Sequence, residues 1–359
     1  MQIEKIANAF QLDGKMVSCE EFGHGHINST YKVTTDTGAE YVLQQINKYV
    51  FRNPVRLMAN VVAVTEYLHK QVDDPRKALH YIPTHTGLYY YRDRRGEFWR
   101  AYDFIGGFCM DTPEPEEDFY QSALAFGRFQ EQLSDFPAHT LYETIPEFHN
   151  TVDRYQQLKN SIKVDPCGRV ANVKDEIYIL MQREELACTL QRMRENGELP
   201  LRVTHNDTKL NNVLLDRATR KSLCVLDLDT VMPGLSAHDF GDSIRFGAAT
   251  AEEDEPDYEK MSMDLHLFEV YTRGFLETAT ALTDKEVEML PMGALVMTLE
   301  VASRFLKDYI DGDLYFKTAY PEHNLIRART QIRLALDMQE KLPEMNRIVA
   351  EVAAAVRGK

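Results

Sequence analysis

Cysteine is scarce and scattered in this chain. Five occur among 359 residues, Cys19, Cys109, Cys167, Cys188 and Cys224, and no two form a C-x-x-C pair. An odd number without pairing spacing excludes a disulfide scaffold and a zinc ribbon and points to reduced thiols. Long apolar runs are also missing, so nothing reads as a membrane span. The opening stretch MQIEKIANAFQLDG has early charges and no apolar run of signal length. A cytoplasmic location without a membrane partner is therefore expected. Basic residues are in deficit: Lys and Arg number 41 against 56 Asp and Glu, a formal net charge of -15. That balance suits nucleic-acid phosphates poorly. Internal repeats and low-complexity segments are absent as well.

What is present suffices for a large core. Hydrophobic residues make up 44% and charged residues 27%, which reads as globular rather than disordered. The length is comfortable for two lobes. Residues 1–100 carry 13 Lys and Arg against 11 Asp and Glu, leaving 28 against 45 of the chain totals for the rest. Two lobes with different roles fit this division. A second part with more solvated helix faces fits it equally.

Along the chain, residues 1–12 read as a short amphipathic helix. Val17–Phe22 and Asn28–Thr34 read as strands around Gly23-His24-Gly25, and Glu40–Asn47 as a third strand. Asn53-Pro54 opens a helix through Lys70, with Val55, Met58, Val61, Val62, Thr65 and Leu68 at helical spacing. Gly87–Tyr91 and Phe98–Ile105 are two further strand candidates. After Gly107 the pattern turns helical over 116–136, 175–196 and from Asp257 to the end, with breaks at Pro291, Gly312 and Pro321. Short strands are expected at Pro200–Val203, Val213–Leu215 and Ser222–Asp227. The acidic stretch Glu252-Glu253-Asp254-Glu255 reads most simply as a solvated loop.

Chemistry concentrates in His205-Asn206-Asp207-Thr208-Lys209-Leu210-Asn211-Asn212, followed after a hairpin by Cys224-Val225-Leu226-Asp227-Leu228-Asp229. An Asp on a rigid loop can orient an acceptor hydroxyl and take its proton. Magnesium, a hard cation, needs oxygen ligands beside ATP phosphates. An Asn five residues after the base and an Asp at the end of the next strand can supply them. The pattern H-x-D-x-x-x-x-N, hairpin, apolar-Asp resembles the catalytic core of the kinase superfamily. The resemblance assigns Asp207 as catalytic base and Asn212 and Asp227 as magnesium ligands. Lys209 would neutralise charge on the transferring phosphoryl group. His205 would orient the loop from behind, with Asp239 as partner.

The stretch Phe22–Tyr31 matches a phosphate-covering loop in position, with Gly23 and Gly25 allowing close approach of backbone N–H groups. On the third strand Gln44 stands where protein kinases place a Lys. Gln44 would hydrogen-bond there, or Lys48 would substitute, with Glu66 or Asn60 facing it from the helix. Tyr102-Asp103-Phe104-Ile105 falls where two lobes would join, and the backbone of Asp103, Phe104 and Ile105 would bind adenine. An ordinary strand end reads equally well there.

No protein-kinase activation loop follows Asp227. The chain instead resembles the aminoglycoside phosphotransferase and choline kinase group, and within it the bacterial N-acetylhexosamine 1-kinases. The shared stretches are Gly25–Tyr31, Tyr41–Asn47, Arg202–Asn212, Asp227–Thr230, Asp239–Gly247 and Tyr320–Gln331. This resemblance implies an α+β, protein-kinase-like bilobal fold: a small antiparallel-sheet lobe over 1–101 that binds nucleotide, and a mainly helical lobe over 102–359. It implies ATP and Mg2+ as cofactors and phosphorylation of the anomeric hydroxyl of N-acetylglucosamine or N-acetylgalactosamine. Gln44 is then a family trait. Sugar-contact candidates are Asp229, Thr230, Arg245, Phe246, Arg304 and Tyr315, with His26 and Asn28 from the other lobe. For Arg304 and Tyr315, a surface salt bridge or core packing reads as well. The partners are the sugar and ATP, in a monomer or a dimer.

Two other readings stand beside this one. The first is a kinase of another small alcohol: a different hexose, an aminoglycoside, choline or homoserine. The second is a catalytically inactive kinase-fold binding module, whose signature would be loss of Asp207, Asn212 or Asp227; all three are present. A structural protein would leave the polar cluster Thr204–Asn212 without a purpose.

Overall fold

The computed structural model describes residues 2–23, 27–110, 112 and 116–358. Its elements in chain order are α1 Gln2–Ala7, β1 Met16–Glu21, β2 Ser29–Thr35, β3 Glu40–Ile46, α2 Pro54–His69, β4 Tyr81–Ile82, β5 Tyr91–Arg92 and β6 Phe98–Asp103. There follow α3 Glu116–Gln132, α4 Thr151–Val164, α5 Lys174–Met181, α6 Glu184–Ala187, α7 Thr189–Glu195, β7 Arg202–Thr204, β8 Val213–Leu215, β9 Ser222–Val225 and β10 Met232–Gly234. The chain closes with α8 Ser236–Gly247, α9 Leu265–Thr278, α10 Asp284–Glu288, α11 Leu290–Asp311 and α12 His323–Arg357. This is the α+β, protein-kinase-like fold that the sequence implies: an antiparallel sheet early in the chain and helices after it.

Two compact units form. The first comprises Met1–Cys109, Asp135–Pro146 and Val213–Pro233. Its sheet runs β1-β2-β3-β6-β4, with β5 also on β6, and every neighbouring pair is antiparallel. Register places Gln44 directly opposite Arg100. Ile6, Phe10, Val33, Leu43, Ile82, Trp99 and Ala101 form the core on one face. Asn53 caps α2 by accepting from the Arg56 amide, and Pro54 fits its first turn. The hairpin β8–β9 belongs to this unit, and Phe108 bridges to Leu215.

The second unit comprises Met110–Ser134, Glu147–Asn212 and Gly234–Lys359. Helix α11 is its axis and packs against α4, α8 and α12, while α3 packs on α9. The crossing of α8 and α11 is close because two glycines meet there. A Cβ on Gly241 would stand 2.3 Å from the Gly293 carbonyl oxygen, and one on Gly293 would stand 2.1 Å from that of Ala237.

Local readings differ from the structure at a few elements. No strand spans Gly87–Tyr91: Gly87 is left-handed at φ +81° and closes a turn through its amide onto Thr84, so the strand starts at Tyr91. The helical pattern over 175–196 is divided into α5, α6 and α7. Pro291 lies in the first turn of α11 and opens that helix rather than breaking it. Gly312, at φ +98°, ends α11 as the pattern implied.

Because the α8–α11 crossing has no room for a side-chain carbon, Gly241→Ala should destabilise the protein by about 1–3 kcal/mol. Equilibrium urea unfolding checks this, and an unchanged midpoint would mean that the crossing relaxes freely.

Candidate active site

In the helical unit the loop after β7 carries the H-x-D pattern. Asp239, near the start of α8, takes the amide of His205 at 2.8 Å on one carboxylate oxygen and that of Asn206 at 2.8 Å on the other. Gln130 Nε2 adds a third bond at 2.7 Å. The Thr208 hydroxyl donates to the Asp239 carbonyl oxygen at 2.5 Å, and the Thr208 amide to Asp242 at 3.1 Å. Ser243 Oγ donates to the Thr208 carbonyl at 2.8 Å. The His205 ring is buried edge-on against Phe126 and Phe129. Asp239 thus holds the loop as expected, and the bonds described here reach its backbone.

So held, the loop presents Asp207. Its side chain remains 27% exposed, while His205, Asn206 and Thr208 are buried. Lys209 Nζ lies 3.4 Å from its carboxylate. Asn212 Nδ2 donates to the Asp207 carbonyl at 2.8 Å and approaches the carboxylate at 3.4 Å. Burial pushes the Asp207 carboxyl up, but the Lys209 ammonium and the His205 ring outweigh it and hold it below the ordinary aspartate value. Asp207 raises Lys209 in return. The result is a carboxylate beside a committed cation.

Arg245 is buried on α8, with Nε and Nη2 on Asp242 at 3.1 and 3.0 Å, and Nη1 on Glu253 at 2.7 Å and Gln331 at 3.3 Å. Phe246 is half-buried on the same helix. The acidic stretch 252–255 is therefore no simple solvated loop: Glu253 meets Arg245, Asp254 meets His323 and Glu255 meets Lys260. Arg304 lies under three rings, Phe148 at 5.3 Å, Tyr315 at 5.8 Å and Phe316 at 5.5 Å. Asp308 fixes the loop carrying these aromatics by accepting the amides of Leu314, Tyr315 and Phe316. Tyr315 itself is 62% exposed.

In the sheet unit, Asp227 is exposed in a left-handed conformation at φ +54°. Two residues on, Asp229 is buried. One of its oxygens takes Arg100 Nη1, and the other takes Asn28 Nδ2 at 2.7 Å. Arg100 is 1% exposed, and its Nε and Nη2 donate to Gln44 Oε1 at 2.8 and 2.6 Å. Gln44 Nε2 donates to Thr30 Oγ1 at 2.9 Å. The partner of Gln44 is therefore Arg100, on the adjacent strand. Among the alternatives on the helix, Asn60 is engaged with Tyr142 and Val231, and Glu66 accepts from Tyr89. Lys48 pairs with Glu97 at 2.7 Å. Thr230 is buried beside Asp229. Gly23 is left-handed at φ +77°, whereas Gly25 and His26 lie outside the described residues. Phe22 stands edge-on to Phe104 at 5.5 Å. The amides of Asp103 and Phe104 bond His80 and Glu40 carbonyls, and Ile105 follows directly after them.

A family model described as the phosphotransferase enzyme family matches residues 18–271. The chain belongs to that family. Among solved structures, an aminoglycoside phosphotransferase from Alicyclobacillus acidocaldarius is similar at TM-score 0.64 and 13% identity, over 97% of this chain and 96% of that one. A microcompartment-associated aminopropanol kinase is similar at 0.61 and 16%, over 96% and 98%. An amicoumacin kinase, hAmiN, in complex with AMP-PNP, Ca2+ and Ami, is similar at 0.63 and 13%, over 92% of each chain. Identities this low carry the fold and leave the acceptor open.

Two side chains in this phosphotransferase escaped the sequence reading. Arg100 gave no signal beyond being a charged residue on a strand otherwise apolar or aromatic at Trp99, Ala101 and Tyr102. His149 gave none. Its ring bonds Glu300 at 2.9 Å and the Asn206 carbonyl at 3.1 Å. Arg100→Met leaves Asp229 buried without its cation, and the expected cost is about 3–5 kcal/mol. Chemical denaturation reads this directly. A loss below about 1 kcal/mol would mean that Asp229 finds another partner or water.

Proposed function

We propose that this phosphotransferase moves the γ-phosphate of ATP to the anomeric hydroxyl of an N-acetylhexosamine, giving the sugar 1-phosphate. The observation that carries the proposal is the presentation of Asp207, a partly exposed carboxylate on a loop whose backbone is fixed by Asp239 and Asp242. Asp207 would orient the acceptor hydroxyl and take its proton. Its carboxyl, held below the ordinary aspartate value, is ionised at neutral pH and ready for that role. Lys209 would offset charge on the phosphoryl group in transit.

The residues present fit a magnesium nucleotide. Asn212 commits its amide nitrogen to Asp207, which leaves its oxygen for a hard cation, and Asp227 would supply a carboxylate. Among the described residues no group of three or more His, Cys, Asp or Glu could hold a metal. The ion would be held by one or two protein oxygens together with substrate phosphates. Bound there, Mg2+ would neutralise charge on the phosphates. Gly23, Gly25 and Gln44 would lie along the nucleotide, and the backbone of Asp103, Phe104 and Ile105 along adenine. Residues 1–101 would form the nucleotide-binding part and 102–359 the part with the catalytic loop and acceptor pocket.

Support for a sugar acceptor comes from the helical unit. Tyr315 offers an exposed ring face on a loop fixed by Asp308. Beneath it Arg304 leads through Glu300 and His149 to Asn206, the residue before Asp207. An aromatic face and a guanidinium suit a sugar ring and its hydroxyls better than a cationic acceptor. Phe246, Thr230, Arg245 and His26 remain proposed sugar contacts, and Asp229 and Asn28 would act as a preformed pair. In the acidic stretch, Glu253, Asp254 and Glu255 already pair with Arg245, His323 and Lys260, which leaves less of its charge for a cationic acceptor.

ADP release with Mg-ATP over a panel of N-acetylglucosamine, N-acetylgalactosamine, glucose, galactose, an aminoglycoside and choline tests this, with phosphorus NMR on the product. An anomeric phosphate on an N-acetylhexosamine is expected. Turnover confined to an aminoglycoside or choline would sink the sugar reading. Asp207→Asn should lower turnover by about 10²–10⁴-fold with ATP binding retained; normal turnover in that variant would remove Asp207 as the base.

A further inference from the structure

His149 lies outside every motif above, and phosphoryl transfer as proposed makes no direct use of it. Its side chain is 8% exposed. Nδ1 stands 2.9 Å from a Glu300 carboxylate oxygen and Nε2 stands 3.1 Å from the Asn206 carbonyl oxygen. An ionised carboxylate and a carbonyl only accept hydrogen bonds. A neutral imidazole has one N–H and cannot donate to both. The two bonds together need one proton more than a neutral ring beside an ionised carboxylate. That holds whether the proton sits on the ring or on the carboxyl, because a protonated Glu300 could donate to Nδ1 while Nε2–H donates to Asn206.

The carbonyl so held belongs to the peptide unit that leads into Asp207. The other end of that unit, the Asp207 N–H, meets His205 Nδ1 at 3.3 Å. Both ends of one peptide are thus fixed by histidine rings. Asn206 has φ +64°, a left-handed conformation that asparagine adopts more readily than most residues with a side chain.

We infer that the proton shared by His149 and Glu300 locks the Asn206–Asp207 peptide, making His149 a positioning residue whose loss of that proton disables phosphotransfer. The inference rests on the reading of Asp207 as the carboxylate that meets the acceptor.

The groups facing the pair define the sign of its pH dependence. From α11 come Glu300 and Arg304, from α4 Arg154, and from α8 His238, whose ring is 5.5 Å from that of His149. Burial opposes charge on Glu300, but His149, Arg304 and Arg154 hold its carboxyl down to about 2. Burial also opposes charge on His149, but Glu300 holds it above the ordinary imidazole value. His238 is pushed down to about 3 by burial and by the neighbouring His149, so it stays neutral and cannot take the place of the shared proton. The two hydrogen bonds need the proton, and it leaves as pH rises past the raised His149 value. Activity should fall on the alkaline side.

The experiment compares the full-length protein with His149→Gln and His149→Ala. Glutamine can donate one N–H to Asn206 but has no proton to lose near neutrality. Wild-type kcat is expected to fall about tenfold to a hundredfold along the alkaline limb. His149→Gln should keep much of the neutral-pH turnover and lack the limb that His149 governs. His149→Ala should lose about tenfold or more at every pH, with the KM for ATP within about twofold. Nitrogen NMR of the His149 ring, followed with the amide signals of Asn206 and Asp207, should show both ring nitrogens protonated at neutral pH and all three signals moving together. An alkaline limb unchanged in His149→Gln, or a neutral ring with an ionised Glu300 at pH 7, would overturn the inference. The ring titration needs no acceptor. Failure of every sugar to react would sink the proposed acceptor and leave this inference to be decided by that titration.

Discussion

The loop that carries Asp207 depends on one buried carboxylate. Asp239 receives the amides of His205 and Asn206, and Gln130 shares one of its oxygens. The two backbone N–H groups reach different oxygens of Asp239, and a carboxylate offers two oxygens where an amide side chain offers one. Burial pushes the Asp239 carboxyl up, and the His205 and Asn206 amides and Gln130 oppose that rise. One turn later Asp242 repeats the arrangement, taking the Thr208 amide on one oxygen and Arg245 on the other. The first two turns of α8 are in this sense a template on which the residues flanking Asp207 are laid.

That template works only at a fixed depth against α11, and the fixed depth comes from glycine. Gly241, between Asp239 and Asp242, lies against Gly293 with no room for a side-chain carbon. Glu300 follows Gly293 by seven residues, two helical turns, and so shares its face of α11. The crossing that brings Asp239 to the loop from α8 also brings Glu300, and through it His149, to the carbonyl of Asn206 from α11. Packing and chemistry are joined at this point: a shift of either helix would move the groups that hold both ends of the loop.

The sequence made some of this legible and hid the rest for physical reasons. The run His205–Asn212 could be read because its chemistry lies within eight consecutive residues at a fixed spacing. The helix α2 could be read because Asn53 and Pro54 mark its start locally. Asp239 could be named as the loop's partner from the H-D-F-G-D cluster. Arg100 and His149 could not be found this way, because their partners are remote: Asp229 lies 129 positions from Arg100, and Glu300 lies 151 positions from His149. Nothing local distinguishes a buried arginine on a strand from an exposed one. The acidic run 252–255 misled for the same reason, since Arg245, His323 and Lys260 that pair with it reach it only through the fold. Over 175–196 the apolar period continues across α5, α6 and α7, and the breaks between them lack glycine or proline to announce them.

Gln44 and Arg100 are best understood as one change rather than two. They face each other across β3 and β6, close enough for side chains to touch. Gln44 Oε1 accepts two guanidinium N–H groups, so the residue at this position must offer an oxygen. A lysine there would bring an ammonium against a guanidinium with no acceptor between them. With glutamine present, the cation can stand on the neighbouring strand. Arginine then does what lysine could not, because its planar fork reaches Gln44 on one side and the Asp229 carboxylate on the other. The segment carrying Asp227 is thereby tied to the centre of the sheet through the buried Arg100–Asp229 pair. At that point the sheet carries a buried arginine paired with Asp229 rather than the strand lysine that protein kinases use.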